Sequence, residues 1–194
     1  MNPVDFTSLP VDLQQSDWLK PFSELSYSTE HHASCIQAGT ACGNIKALNF
    51  DTIKEHWYGR SFHDQVKSAD ALYVDKGVWY LVEFKYGGAQ AYDVVKKYYD
   101  SIVGIVEHGC LSWRDCCERL RTILVWRNAD RFDAYDIGKK SGESRSPVWE
   151  CFPRDVKNMN ADTDFRIHLG HFVNASYVMS VEDFASFAAN EGWQ

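Results

Sequence analysis

The strongest pattern of apolar positions lies between residues 67 and 87. Aromatic and β-branched side chains occupy both alternating sets of positions there, which is typical of strands that are covered on both faces of a sheet. Asp75-Lys76-Gly77 interrupts the run with residues that favour a tight turn. The pattern therefore predicts a central β-hairpin with two buried strands.

Three charged residues stand within this apolar hairpin: Asp70 at the start of its first strand, and Glu83 and Lys85 in its second. A two-residue Lys76-Gly77 loop would place Asp70 directly across from Glu83, whereas a three-residue loop would shift the pairing by one residue. Glu83 and Lys85 share a face in either register because side chains alternate along a strand. In the second register a bulge is needed to bring Asp70 to that face.

Helical and strand patterns also appear on both sides of the hairpin. Apolar residues at helical spacing indicate helices, and short apolar runs between turn residues indicate strands. The predicted elements are a helix at 49–63 with Asp51 as its N-cap, a long helix at 89–108, a short helix at 113–120, strands at 122–126, 148–152 and 165–169, and a final helix that follows Ser180.

The charged residues of the hairpin predict a cation site. Two carboxylates that converge in a buried hairpin repel each other, so that one pKa rises or a cation is required. Lys85 has too few donors to satisfy both Asp70 and Glu83 fully. Hard oxygen ligands favour Mg²⁺ (or Mn²⁺), and Mg²⁺ takes one or two protein carboxylates and keeps several waters. A lysine beside such an ion can position an activated water for hydrolysis.

Asp70 together with Glu83-Phe84-Lys85 resembles the motif of the PD-(D/E)xK nuclease superfamily, also called restriction-endonuclease-like. Ala69 stands where many members have proline. The resemblance spans residues 45–128, with N- and C-terminal elaborations outside that core. It implies an α/β (α+β) fold with a central mixed β-sheet flanked by helices, in the order helix, three strands, helix, strand.

The resemblance also implies a role for each site residue. Asp70, Glu83 and Lys85 would be the catalytic residues, and Asp70 and Glu83 would hold the metal. The backbone carbonyl of Phe84 would be a further metal ligand, since that position often contacts the ion in the family. The first helix sometimes supplies another acidic ligand, which nominates Glu55, with Asp64, nearer the hairpin, as a second choice.

Net charge argues against a general attraction to a polyanion, because 27 acidic residues outnumber 20 basic residues and leave −7 at pH 7. The basic residues are unevenly distributed along the chain, however, and residues 113–145 contain eight basic and six acidic residues. This segment could bind phosphate groups in spite of the overall negative charge. In nucleases of this superfamily the helix after the hairpin also often approaches the substrate. The candidate nucleic-acid-binding residues are Lys96, Lys97, Arg127, Lys139 and Lys140.

Length and composition suit a single domain over residues 1–194, with 45% hydrophobic and 14% aromatic residues. The first residues lack the basic start and apolar run of a secretory signal, and no apolar run is long enough to cross a membrane. We therefore expect a cytoplasmic protein whose six cysteines are reduced thiols.

Two functions from different classes follow from these observations. The first is a metal-dependent nuclease that hydrolyses DNA or RNA, and many nucleases of this fold act as homodimers, although the sequence identifies no interface. The second is a catalytically inactive interaction protein on the same fold, for example one that binds a protein partner in a defence or toxin system. In a third interpretation, the charged residues lie on an edge strand and prevent it from pairing with another chain. The apolar residues on both sides of them argue against an edge strand.

Overall fold

The computed structural model describes residues 4–59, 66–86, 91–127, 169 and 172–193. Three short 3₁₀ helices precede the first strand. The strands are β1 (Leu19–Pro21), β2 (Tyr27–Ser28), β3 (Ala33–Ser34), β4 (Lys46–Asn49), β5 (Ala71–Asp75), β6 (Val78–Lys85), β7 (Leu120–Trp126) and β8 (Ala175–Met179). The α-helices are α1 (Phe22–Leu25), α2 (Ala41–Asn44), α3 (Phe50–Tyr58), α4 (Ala91–Glu107), α5 (Trp113–Arg119) and α6 (Val181–Glu191).

Six of these strands form one mixed sheet in the order β1-β4-β5-β6-β7-β8, and β2 pairs with β3 in a separate antiparallel ribbon. The β1-β4, β4-β5 and β5-β6 pairs are antiparallel, whereas β6-β7 and β7-β8 are parallel. Helices α4 and α5 connect the parallel strands β6 and β7, because parallel neighbours need a long crossover. The prediction of an α+β fold with a central mixed sheet flanked by helices is therefore confirmed.

Both faces of the central strand β6 are covered by helices. On one face, the Phe84 ring lies 6.1 Å from the Phe184 ring of α6. On the other face, Glu83 contacts Lys97 of α4 at 2.7 Å. Strands buried on two sides are apolar at nearly every position, which explains the continuous apolar run of the hairpin. The arrangement also leaves Glu83 on the face that packs against α4.

Several predicted elements are confirmed. Helix α4 lies within the predicted range 89–108, and β7 contains the predicted strand 122–126. Helix α6 follows Ser180, whose hydroxyl accepts a hydrogen bond from the Asp183 N–H at 3.0 Å. This N-cap satisfies one of the N–H groups that a helix start leaves without a partner.

The predicted N-cap and the predicted end of α3 were wrong, and residues 60–63 of the predicted range lie outside the described residues. The N-cap is Asn49 rather than Asp51, because the Asn49 side chain accepts a hydrogen bond from the Asp51 N–H at 3.0 Å. The helix ends at Tyr58, since Gly59 has φ +69° and leaves the helical conformation. The carboxylate of Asp51 is therefore released from capping and takes other partners.

The order of strands differs from the expected one in two places. Between α3 and α4 the described residues form two strands rather than three, and β4, the antiparallel neighbour of β5, precedes α3. Strand β8 was not predicted. The predicted strand at 148–152 lies outside the described residues, and so does 165–168, while the chain at Leu169 is helical rather than extended.

Two further expectations concern the environment of the protein. Across the described ranges, no helix combines the length and the apolar character needed to cross a membrane. Five cysteines are free thiols in the described part of the chain, and Cys151 lies outside it. The free thiols are Cys35, Cys42, Cys110, Cys116 and Cys117.

A close backbone contact in α2 predicts a strong stability effect. A Cβ atom on Gly43 would lie 2.1 Å from the backbone carbonyl oxygen of Gln37, so that Gly43→Ala requires the backbone to shift. We expect this substitution to lower the free energy of unfolding by about 1–3 kcal/mol. Urea denaturation measures the loss, with Asn44→Ala, at the exposed next position, as the control. Equal midpoints for Gly43→Ala and the wild type would contradict the contact.

Candidate functional site

The register of the central hairpin brings Asp70 and Glu83 together. Strands β5 and β6 pair from Asp75↔Val78 to Ala71↔Val82, and the next pair in this register is Asp70 with Glu83. The turn has two residues, Lys76 and Gly77, with φ values of 48° and 78°. Positive φ at both positions is typical of the tight type I′ turn. The structure therefore adopts the two-residue loop, the alternative that places Asp70 opposite Glu83 without a bulge.

Backbone hydrogen bonding fixes the orientation of Asp70. Its Oδ2 atom accepts a hydrogen bond from the Phe84 N–H at 2.7 Å. The Phe84 ring packs against Phe22 and Phe184 in the core, so the backbone of Phe84 is what faces Asp70. The next carbonyl, that of Lys85, accepts a hydrogen bond from the Arg127 N–H on the β7 side. Because successive carbonyls alternate in direction, the Phe84 carbonyl points to the opposite side, toward Asp70.

The Glu83 carboxylate is fully buried, with a side-chain exposure of 0%. Its Oε1 atom lies 2.8 Å from Lys85 Nζ and 2.7 Å from Lys97 Nζ. The Oε2 atom is buried with no hydrogen-bond partner among the residues that the structure describes. A buried polar atom without a partner costs about 1–3 kcal/mol, so this oxygen is a position where a ligand or water would be stabilised.

Lys97 lies inside the site rather than on the helix surface. Its Nζ atom bridges Glu83 Oε1, at 2.7 Å, and Asp70 Oδ1, at 3.2 Å. Burial disfavours the Lys97 ammonium, but the Asp70 and Glu83 carboxylates outweigh this effect and raise the pKa of Lys97 above its ordinary value. The sequence does carry a signal for this position. Lys97 falls between Val94 and Ser101 at helical spacing, on the face of α4 that is buried.

Asp70 is repelled by the Glu83 carboxylate in spite of its lysine neighbours. Burial and the nearby Glu83 carboxylate raise the pKa of Asp70 to about 7, against the opposite effects of Lys97, the Phe84 N–H and Lys85. The two carboxylates are matched in number by the two ammonium groups that contact Glu83. The pKa of Asp70 is raised in spite of this balance, so a further positive charge beside Asp70 would stabilise its ionised carboxylate.

A third carboxylate, that of Asp51 at the start of α3, borders the site. It shares a depression with Asn49, Tyr27 and Asp70. Its Oδ1 atom accepts hydrogen bonds from Lys54 Nζ, at 2.9 Å, and from the Ser68 hydroxyl, at 2.5 Å. Burial acts to raise the pKa of Asp51, but the hydrogen bonds from Ser68 and Lys54 lower it overall, so the group stays ionised at neutral pH.

The structure does not bring Glu55 to the two carboxylates, and Asp64, the second choice for that ligand, lies outside the described residues. Glu55 lines a separate depression with Trp18, Thr52 and His56. Asp51, four residues earlier on α3, is the acidic residue of that helix that lies beside Asp70. Among the residues that the structure describes, no group of three or more His, Cys, Asp and Glu side chains could hold a metal ion. A cation at this site would thus rely on the Asp70 and Glu83 pair and on backbone oxygen.

Strand β2 and its neighbouring residues, from Leu25 to His31, form the other wall of the site. Together with the ends of β5 and β6 they enclose a cleft of about 320 Å³. The His31 ring stacks on the Tyr86 ring, with centroids 5.0 Å apart. The cleft is lined by Leu25, Ser26, Tyr27, Ser28, Thr29, Glu30, His31, Asp70, Phe84, Lys85, Tyr86 and Lys97.

The remaining nucleic-acid-binding candidates lie at or outside the edge of this cleft. The Arg127 guanidinium lies 4.5 Å from the centre of the Tyr86 ring and donates a hydrogen bond to the Ser34 carbonyl at 3.3 Å. Lys96 forms an ion pair with Asp100, which also accepts the Lys67 N–H. Lys96 therefore helps to hold the segment that leads to Asp70. Lys139 and Lys140 lie outside the described residues.

Comparison with known proteins identified no relative of this chain. No family model, no curated protein and no solved structure matches the chain. The function is therefore inferred from the geometry and chemistry of the cleft.

Proposed function

We propose that this protein is a Mg²⁺- or Mn²⁺-dependent nuclease with a restriction-endonuclease-like core, which hydrolyses phosphodiester bonds in DNA or RNA. The observation that carries the proposal is the placement of Asp70 opposite Glu83 across the central hairpin, with Lys85 Nζ 2.8 Å from Glu83 Oε1. Two carboxylates and a lysine at the end of a buried hairpin are the pattern by which the chain resembles the PD-(D/E)xK superfamily. The cleft beside them is open to a ligand.

The residues present fit a divalent cation. Asp70 and Glu83 would hold it, together with the Phe84 carbonyl, and such hard oxygen donors suit Mg²⁺, which requires only one or two protein carboxylates. The buried Glu83 Oε2 atom supports this fit because the described residues offer it no hydrogen-bond donor. The raised pKa of Asp70 supports it as well, since an added positive charge relieves the repulsion between the two carboxylates.

In this proposal Lys85 acts on the attacking water. Hydrolysis forms a bond from the water oxygen to phosphorus and breaks the bond from phosphorus to one sugar oxygen, which leaves with a proton. The cation, when bound, supplies positive charge that polarises the scissile phosphate. Lys85 is 23% exposed at the cleft, so its ammonium can donate a hydrogen bond that orients the water while it stays beside Glu83. Lys97 has to release one or both carboxylates for the cation to enter.

One observation favours the second function, a non-catalytic interaction protein on the same fold. Lys97 already bridges both carboxylates, and together with Lys85 it balances their charge. A cluster of this kind can be a purely structural ion-pair network. The two proposals differ in their response to divalent cations, since the structural network does not require one.

Incubation of the purified protein with labelled single- and double-stranded DNA and RNA tests the nuclease proposal. We expect strand breaks in at least one of these substrates with Mg²⁺ or Mn²⁺ and none with EDTA. Stable binding to a nucleic acid or a protein without turnover under any of these conditions would instead favour the interaction protein.

A further inference from the structure

We propose that Tyr27 is a stacking platform for an unpaired base beside the scissile phosphate, so that the substrate is a single-stranded or locally unpaired nucleic acid. This inference rests on the proposed nuclease function and specifies its substrate class. Tyr27 lies in β2, the first strand of the ribbon that covers the cleft.

Tyr27 borders the reacting centre on two sides. It lines the cleft that contains Asp70, Lys85 and Lys97, and it also lines the neighbouring depression that contains Asp70 and Asp51. The two spaces share Leu25, Tyr27 and Asp70. A nucleotide strand that passes from one space to the other would run beside the carboxylates and place a base next to the Tyr27 ring.

The Tyr27 ring is exposed to a ligand, whereas its backbone is held in place by hydrogen bonds. Tyr27 is 51% exposed. Its partner across the ribbon is Ser34, whose side chain is too small to cover an aromatic ring. In the described part of the chain, the Tyr27 ring stacks on no other ring. The ribbon itself is held by hydrogen bonds from the Cys35 N–H to the Ser26 carbonyl, at 2.9 Å, and from the Ser34 hydroxyl to the Ser23 carbonyl, at 2.6 Å.

A rigid backbone that presents a free aromatic face is the arrangement that single-strand binders use, because every base has a π face that can stack on it. The tyrosine side chain also loses little conformational entropy when it is covered. Tyr86, the other tyrosine of the cleft, is less suited to this role, since its ring is already stacked on His31.

The net charge of the chain and the size of the cleft also favour a single strand over a duplex. Binding to a duplex depends largely on many phosphate contacts, and the chain as a whole carries a net charge of −7. Base stacking supplies affinity that does not depend on a wide basic surface. The cleft volume of about 320 Å³ is close to the lower limit for small-molecule sites and suits one nucleotide at a time.

Binding in the absence of cleavage tests the inference. Fluorescence anisotropy in EDTA would give the dissociation constants of a fluorescent single-stranded oligonucleotide of mixed sequence and of the matching duplex. We expect the single strand to bind more tightly than the duplex. Tyr27→Ala should weaken single-strand binding by about 5- to 100-fold, whereas Tyr27→Phe, which keeps the ring, should bind as the wild type does.

Tyr99→Ala is the matched control, because Tyr99 is 43% exposed on α4 and does not line the cleft. Unchanged single-strand affinity of Tyr27→Ala, or equal affinity of the wild type for the duplex, would overturn the inference. Cleavage with Mg²⁺ in parallel samples separates the two proposals. A wild type that cleaves while Tyr27→Ala binds normally defeats only the role of Tyr27, and a wild type that neither binds nor cleaves any oligonucleotide defeats both.

Discussion

Replacing Lys85 by alanine is expected to lower the rate of Mg²⁺-dependent cleavage by about 10²- to 10⁴-fold, the usual contribution of a positioned proton-transfer or water-orienting group. The physical reason is that Lys85 Nζ is held 2.8 Å from Glu83 Oε1 and remains partly exposed at the cleft. Glu83 keeps its second ammonium partner, Lys97, in this variant, so the fold is expected to survive. Single-turnover cleavage of the preferred substrate measures the effect.

Lys76→Ala is the matched control for this prediction. Lys76 belongs to the same hairpin, but it lies in the turn at the opposite end and is 81% exposed. The control variant should cleave at the wild-type rate. Full activity of a folded Lys85→Ala protein would remove Lys85 from the mechanism, because no other role for its ammonium in the reaction has been assigned.

Replacing Lys97 by methionine is expected to destabilise the protein in EDTA and to make it respond to Mg²⁺. Removal of one partner from a buried ion pair costs about 3–5 kcal/mol, and the lower end applies here because Lys97 is 23% exposed and Glu83 keeps Lys85. In this variant the ammonium that bridges Asp70 and Glu83 is absent, and a divalent cation competes at Glu83 with Lys85 rather than with both lysines. We therefore expect Mg²⁺ to restore much of the lost stability, because a ligand that binds only the folded state stabilises it.

Chemical denaturation with and without Mg²⁺ measures both parts of this prediction, with Lys96→Met as the control. Lys96 is the adjacent residue on α4, but it pairs with Asp100 and is 36% exposed, so its loss should cost only about 0–1 kcal/mol. A Lys97→Met protein as stable as the wild type in EDTA would show that the bridge carries no net stabilisation. Destabilisation that Mg²⁺ does not relieve would favour the structural ion-pair network.

The central hairpin could be predicted from sequence because its signals are local and agree with one another. The apolar run from Tyr73 to Phe84 indicated strands covered on both faces, and the turn residues set the register that places Asp70 opposite Glu83. Charged residues within or directly beside such a run are costly unless they have partners, which is why the sequence pattern alone marks Asp70, Glu83 and Lys85 as a candidate site.

Other features depend on packing between distant segments and could not be read in the same way. The β2-β3 ribbon consists of two-residue strands, too short for an apolar pattern, yet β2 and the residues beside it form one wall of the cleft. Lys97 looked like an ordinary surface lysine because its partners lie 14 and 27 residues away in the sequence. The competition between Asn49 and Asp51 for the N-cap of α3 was decided by Ser68 and Lys54, which bind the Asp51 carboxylate instead.

The central claim, that Asp70 and Glu83 form a divalent cation site, is tested most directly by isothermal titration calorimetry of Mg²⁺ and Mn²⁺ into the wild type and into Glu83→Gln. Glutamine keeps the shape of Glu83 but removes its charge, and circular dichroism would verify that the variant is folded. We predict saturable binding of one cation to the wild type and loss of that binding in Glu83→Gln. A folded wild type that binds neither cation, or a variant that binds as the wild type does, would contradict the account.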